Sequence, residues 1–93
     1  MSETALRLII RGRVQGVGYR AWTVDQARRL GLRGWVRNRT DGGVEALAIG
    51  DAATLETFAT LCARGPRFAR VDNVDRDPAN DDGSVGFGQE STV

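Results

Sequence analysis

The residues best suited to chemistry lie in one run, Gly12-Arg13-Val14-Gln15-Gly16-Val17-Gly18-Tyr19-Arg20. An apolar strand pattern leads into glycines, and a helical pattern follows. Glycines allow backbone angles that turn several N–H groups toward one point. A helix start adds N–H groups without acceptors and the positive end of its dipole. Together these make a cradle for an anion such as phosphate. Arg20, in the first helical turn, can add a two-pronged charged grip. The same run also fits a plain glycine turn with a surface arginine, because such strand–helix turns are common.

Three more specific readings of this loop fail. Gly16-x-Gly18-x-x-Ala21 matches a loose dinucleotide fingerprint, which needs a parallel βαβ unit; here the next two strands form a tight hairpin. A Walker A loop needs lysine, and the chain has none. A thiol phosphatase loop ending at Arg20 wants a cysteine at its start, where Val14 stands, so no covalent thiol nucleophile is present there.

Asn38 is the second polar residue of interest, placed just before the turn Thr40-Asp41-Gly42-Gly43. Taken alone, it also fits a turn-capping asparagine.

These residues need elements to carry them. Ala5 to Val14 reads as a strand, with Leu6, Leu8 and Ile10 alternating with Arg7, Ile9 and Arg11. Tyr19 to Leu30 reads as a helix, with Arg20, Thr23, Val24, Ala27 and Leu30 on one face and Trp22, Asp25 and Arg29 on the other. Gly34 to Arg39 and Val44 to Ile49 read as strands joined by a hairpin, since Asp-Gly suits tight turns. Asp51 is a good N-cap for a helix carrying Leu55, Phe58, Leu61 and Cys62, which Gly65-Pro66 ends. Arg70 to Arg76 is a strand. Val85 to Gln89 is a last short one, weakened by Gly86 and Gly88. The order is βαββαβ, the ferredoxin-like α+β pattern: an antiparallel sheet with two helices packed on one face.

Composition sets the outer bounds. The chain has 93 residues, 41% of them hydrophobic and 27% charged, with net charge +1. This fits one domain over 1–93 and gives no global pull toward nucleic acid or membrane, so any anion site is local. All 13 basic residues are arginine, which by itself carries no function. One cysteine excludes an internal disulfide, and with no histidine a conventional zinc site is not expected. No apolar run approaches the roughly 20 residues of a membrane helix. The polar start, Met1-Ser2-Glu3-Thr4, lacks the features of a signal peptide. A cytoplasmic monomer is expected. Cys62, on its helix's apolar stripe, reads as a buried inert thiol. Asp72, Asp75 and Asp77 read as a solvated strand face.

Residues 12–20 match throughout the signature G-x-V-Q-G-V-x-[FY]-R, and on this ground the chain resembles the acylphosphatase family. A second family block, G-W-V-x-N-x-x-D-G-x-V-E, matches Gly34 through Glu45. A weaker third, G-P-x-x-A-x-V, matches Gly65-Pro66 with Ala69 and Val71. The resemblance covers about residues 5–77. It implies hydrolysis of small acyl phosphates to a carboxylate and inorganic phosphate, without metal or cofactor. It puts the family's catalytic arginine on Arg20 and its catalytic asparagine on Asn38. The phosphate loop would be Gln15, Gly16, Val17, Gly18 and Tyr19, acting mainly through their backbone. The glycine-rich last segment and polar tail depart from the family's usual final strand.

Two rival functions stand beside this one, the first of which shares the element order. An RNA-recognition domain needs exposed aromatics on its central strands, and the first strand has none. A catalytically silent module that binds a phosphorylated ligand would not need an intact Arg20 and Asn38.

Overall fold

The computed structural model describes residues 3–93; Met1 and Ser2, part of the polar start, lie outside them. Seven elements follow in order: β1 (Thr4–Arg13), α1 (Tyr19–Arg29), β2 (Arg33–Asn38), β3 (Val44–Gly50), α2 (Ala52–Arg64), β4 (Arg70–Ala79) and β5 (Phe87–Gln89). Both helices lie on one face of a sheet ordered β4-β1-β3-β2-β5. No helix among the described residues is long and apolar enough to cross a membrane.

The period-two pattern of β1 decides which face it buries. Leu8 and Ile10 join Val36, Val44, Ala46 and Ala48 under the helices. Thr23, Val24 and Ala27 of α1 and Leu55, Phe58 and Cys62 of α2 close this core. Asp51 caps α2 by accepting from the Thr54 N–H at 3.2 Å. The central strand β3 is buried along its whole length. On the face without helices, Ala5, Leu47 and Ile49 form a second, smaller cluster with Trp35 and Ala79.

The sheet corrects one expectation. β1 to β4 pair antiparallel, but β5 runs parallel to β2, with Gly34 beside Phe87 and Val36 beside Gln89. The cause is the route of the chain. β4 ends at Ala79 beside Ala5, at the end of the sheet where β1 begins. A chain that then crosses to the opposite edge must return in the sense of β1, which is also that of β2. Arg33 holds this crossing by donating to the Ser84 carbonyl at 2.7 Å and to Asp81. The Trp35 indole N–H donates to Asp82 at 3.0 Å. The fourth strand also runs further than expected, through Pro78. An edge strand tolerates proline because only one side of its ladder is paired.

This topology gathers the chain's chemistry at one end of the sheet. β1, β2 and β5 finish there, β3 and β4 start there, and α1 begins there.

Candidate active site

Two glycines shape the loop after β1. Gly16 has φ +73° and Gly18 has φ +80°, both in the left-handed region. A Cβ at either would meet nothing within 4 Å, so backbone conformation rather than space requires glycine. Gly18 is also the N-cap of α1, and no side chain caps it. The first intrahelical bond runs from the Trp22 N–H to the Gly18 carbonyl at 3.1 Å. Among the described residues, no backbone N–H from Gln15 to Ala21 donates to a protein acceptor. The capped start of α2 shows the contrast. The first turn of α1 carries no acidic side chain, so nothing in it offsets the positive end of the helix.

Beside this stretch lies a cavity of ≈ 130 Å³, lined by Val14, Gly16, Gly18, Tyr19, Arg20, Ala21 and Gln89 but not by Gln15 or Val17. Arg20 is half-buried there and, like Arg13, Arg28, Arg64 and Arg67, makes no ion pair among the described residues, but of these it alone lines the cavity. A larger groove of ≈ 460 Å³ lies between α2 and β4. Its charged groups are already paired, Asp72 with Arg70 and Arg76 with Glu56, and no helix begins in it.

Tyr19 anchors the helix start from below. It is 1% exposed, and its hydroxyl donates to the Cys62 carbonyl at 2.7 Å, near the end of α2. Burial first, then the neighbouring Cys62, pushes the phenol well above its ordinary range. Its side chain therefore packs the core, and only its backbone faces the cavity side. Val17 likewise packs against the core.

Gln15 turns its side chain away from the cavity. Its Nε2 donates to the Arg39 carbonyl at 2.8 Å and the Gly43 carbonyl at 2.7 Å. The loop is thus fastened to the β2–β3 hairpin, which carries Asn38. That hairpin is itself fixed: Asp41 accepts from the Gly43 N–H and from Arg39 Nε, both at 3.0 Å. These donors hold the Asp41 carboxyl below its usual range, Gly43 contributing most.

Asn38, the last residue of β2, does not line the cavity. Its Oδ1 is buried and has no protein hydrogen-bond partner among the described residues. An unpaired buried acceptor costs about 1–3 kcal/mol, and native proteins keep few such groups.

The structure therefore brings Gly16, Gly18, Tyr19 and Arg20 to one cavity and ties Asn38 to it through Gln15. Gln89 lines the cavity too, although the sequence marked it only as the end of a weak strand. Its place follows from the parallel pairing of β5, which no local pattern reveals.

Comparison with known proteins agrees with this geometry. The acylphosphatase family model matches residues 6–88. An acylphosphatase of Rhizorhabdus wittichii is 49% identical over 89 residues, covering 96% of this chain and 90% of the relative. The crystal structure of an acylphosphatase from Bacillus subtilis superposes with a TM-score of 0.90 at 34% identity, covering 96% of this chain and 99% of the other. An acylphosphatase structure from Coxiella burnetii gives a TM-score of 0.90 at 31% identity, covering 95% and 93%. With its cradle, its topology and these matches in agreement, the chain is an enzyme of the acylphosphatase family.

Proposed function

We propose that this chain hydrolyses small acyl phosphates, with Arg20 and the N–H groups of residues 15–20 holding the phosphoryl group and Asn38 orienting the attacking water. The observation that carries the reading is the unbroken row of N–H groups without protein acceptors among the described residues, beside the cavity-lining Arg20. A carboxyl phosphate has a weakly basic leaving group, so the reaction asks little of a general acid. It needs the dianion held, its charge stabilised as the P–O bond loosens, and a water placed in line. Each preorganised donor aimed at developing charge is worth roughly 3–4 kcal/mol at the transition state.

Asn38 is an amide and a poor base. The water's proton therefore passes to an oxygen of the substrate's own phosphate. No histidine exists in the chain, and the two carboxylates of the second block are engaged elsewhere, Asp41 with Gly43 and Arg39 and Glu45 with Arg7 and Arg37. The enzyme acts as one domain over residues 1–93, a monomer in the cytoplasm, without metal or cofactor and with no nucleic-acid or membrane partner.

The test is hydrolysis of acetyl phosphate or benzoyl phosphate in excess chelator. Activity should persist in wild type and fall at least a hundredfold in Arg20→Lys, which keeps the charge but loses the planar fork. An Arg20→Lys variant retaining more than a tenth of wild-type kcat/KM would overturn the assignment. So would a pH–rate profile with an essential group titrating near pH 6–7.

A further inference from the structure

Gln89 has no role in the reading above, yet it forms part of the cavity wall with Gly16, Gly18, Arg20 and Ala21. Three observations fix where its side chain goes. Side chains two apart on a strand share a face, and Phe87 is buried on the helix side, its ring 6.0 Å from that of Phe58 in α2. Gln89 therefore extends toward the helices. β5 and α1 run in opposite senses, and Arg28 Nε donates to the Phe87 carbonyl at 3.0 Å. Moving from Phe87 to Gln89 along β5 leads back along α1 from Arg28 toward Ala21, two turns earlier on the same helix face. Finally, Gln89 pairs beside Val36, two positions before Asn38 and on the same face of the neighbouring strand. The Gln89 amide makes no hydrogen bond among the described residues, so its donors are free.

We infer that the Gln89 side-chain amide donates a hydrogen bond to the departing carboxylate of the acyl phosphate. This rests on the reading of Arg20 and the 15–20 loop as the phosphate site. The loop and helix start form one wall and take the phosphoryl oxygens. Gln89 stands across from them on β5, so it meets what the phosphoryl group is joined to. In the displacement, the water oxygen bonds to phosphorus and the phosphorus–acyl oxygen bond breaks. The bonding pair leaves with the acyl oxygen, giving a carboxylate and inorganic phosphate. Gln89 transfers no proton; it stabilises charge spreading over the two carboxylate oxygens. A neutral donor suits this position, because a cation there would compete with Arg20 for the phosphate.

The test compares wild type, Gln89→Leu and Gln89→Asn on a series of substituted benzoyl phosphates whose parent acids differ in strength, with inorganic phosphate as competitive inhibitor. Gln89→Leu should lower kcat/KM about tenfold for the weakest acid, the loss expected for one hydrogen bond, and less for the strongest. The dependence of rate on leaving-group acidity should steepen while inhibition by phosphate stays unchanged. Gln89→Asn, one methylene shorter, should fall between the two and serves in place of the leucine variant if that one fails to fold. An unaltered dependence on acidity would overturn the inference, and so would a loss of phosphate inhibition in step with rate. Failure of the phosphate site itself would look different: wild type would be inactive in chelator, or Arg20→Lys would stay active.

Discussion

The Gln15 side chain donates at once to the carbonyls of Arg39 and Gly43, at 2.8 and 2.7 Å, and so locks the glycine loop to the hairpin beyond Asn38. The side chain of this signature residue thus braces the loop to the hairpin, while its backbone N–H keeps no protein acceptor among the described residues. Its removal should separate stability from binding in a recognisable way. Gln15→Ala removes two side-chain hydrogen bonds, although the Gly42 N–H still donates to the Arg39 carbonyl and the Arg39 N–H to the Gly43 carbonyl; at about 0.5–1.5 kcal/mol for each lost bond, the unfolding free energy should fall by about 1–3 kcal/mol. With the hairpin loosened, kcat should fall ten- to a hundredfold, since small misplacements are costly in rate. Phosphate inhibition should change much less. Urea unfolding and inhibition constants measured on the same preparation check both halves.

Asn38 should show the opposite balance. Its buried Oδ1 has no protein partner among the described residues. Asn38→Leu, close in shape, removes it. The expected outcome is a gain in unfolding free energy of about 1 kcal/mol with kcat at least a hundredfold lower. A variant both less stable and fully active would show that Asn38 is a structural residue.

Glu45 sets an acid limit on stability. It is 4% exposed on the helix-free face, where Arg7 Nε donates to it at 2.6 Å and Arg37 Nε at 3.1 Å. Burial pushes its carboxyl up, but Arg7 and then Arg37 outweigh burial and hold it below the ordinary value of 4.5. A carboxyl lower in the folded than in the unfolded state stabilises the fold above its unfolded pKa. That contribution fades as pH falls through the folded value. Stability should therefore drop below about pH 4.5. Glu45→Gln should be less stable near pH 7 by about 1–3 kcal/mol and show a shallower acid limb. Thermal melts between pH 3 and 7 test this.

Cys62 is fully buried, and its thiol is pushed up to about 12 by burial, only partly opposed by Tyr19. A thiol of this kind offers almost no thiolate at pH 8. An alkylating reagent should leave Cys62 unmodified in the native enzyme and label it fully in denaturant. Rapid native labelling would mean that α2 opens readily from the sheet.

Much of the fold was legible because its signals are local. Leu8 and Ile10 alternate cleanly, Asp51 caps α2, and Asp41-Gly42 turns the hairpin. The glycine loop could be read as a cradle because Gly16, Gly18 and the helix start are contiguous. The direction of β5 could not be read, because it depends on where β4 ends and which edge remains open. That misreading hid Gln89. The outward turn of Gln15 was hidden too, since its acceptors are carbonyls 24 and 28 residues away, and any residue type supplies a carbonyl.

The short parallel strand has a consequence for solubility as well. β5 and the tail after it occupy the open side of β2, where the Glu90 N–H donates to the Val36 carbonyl at 2.9 Å and the Val93 N–H to the Asn38 carbonyl at 3.1 Å. Were this ribbon to peel away, β2 would present a bare row of main-chain donors and acceptors, a template on which other molecules could add strands. The same opening would strip one wall from the cavity beside Arg20. Inactivation and self-association should therefore share one trigger, and a ligand that clamps Gln89 in place should suppress both.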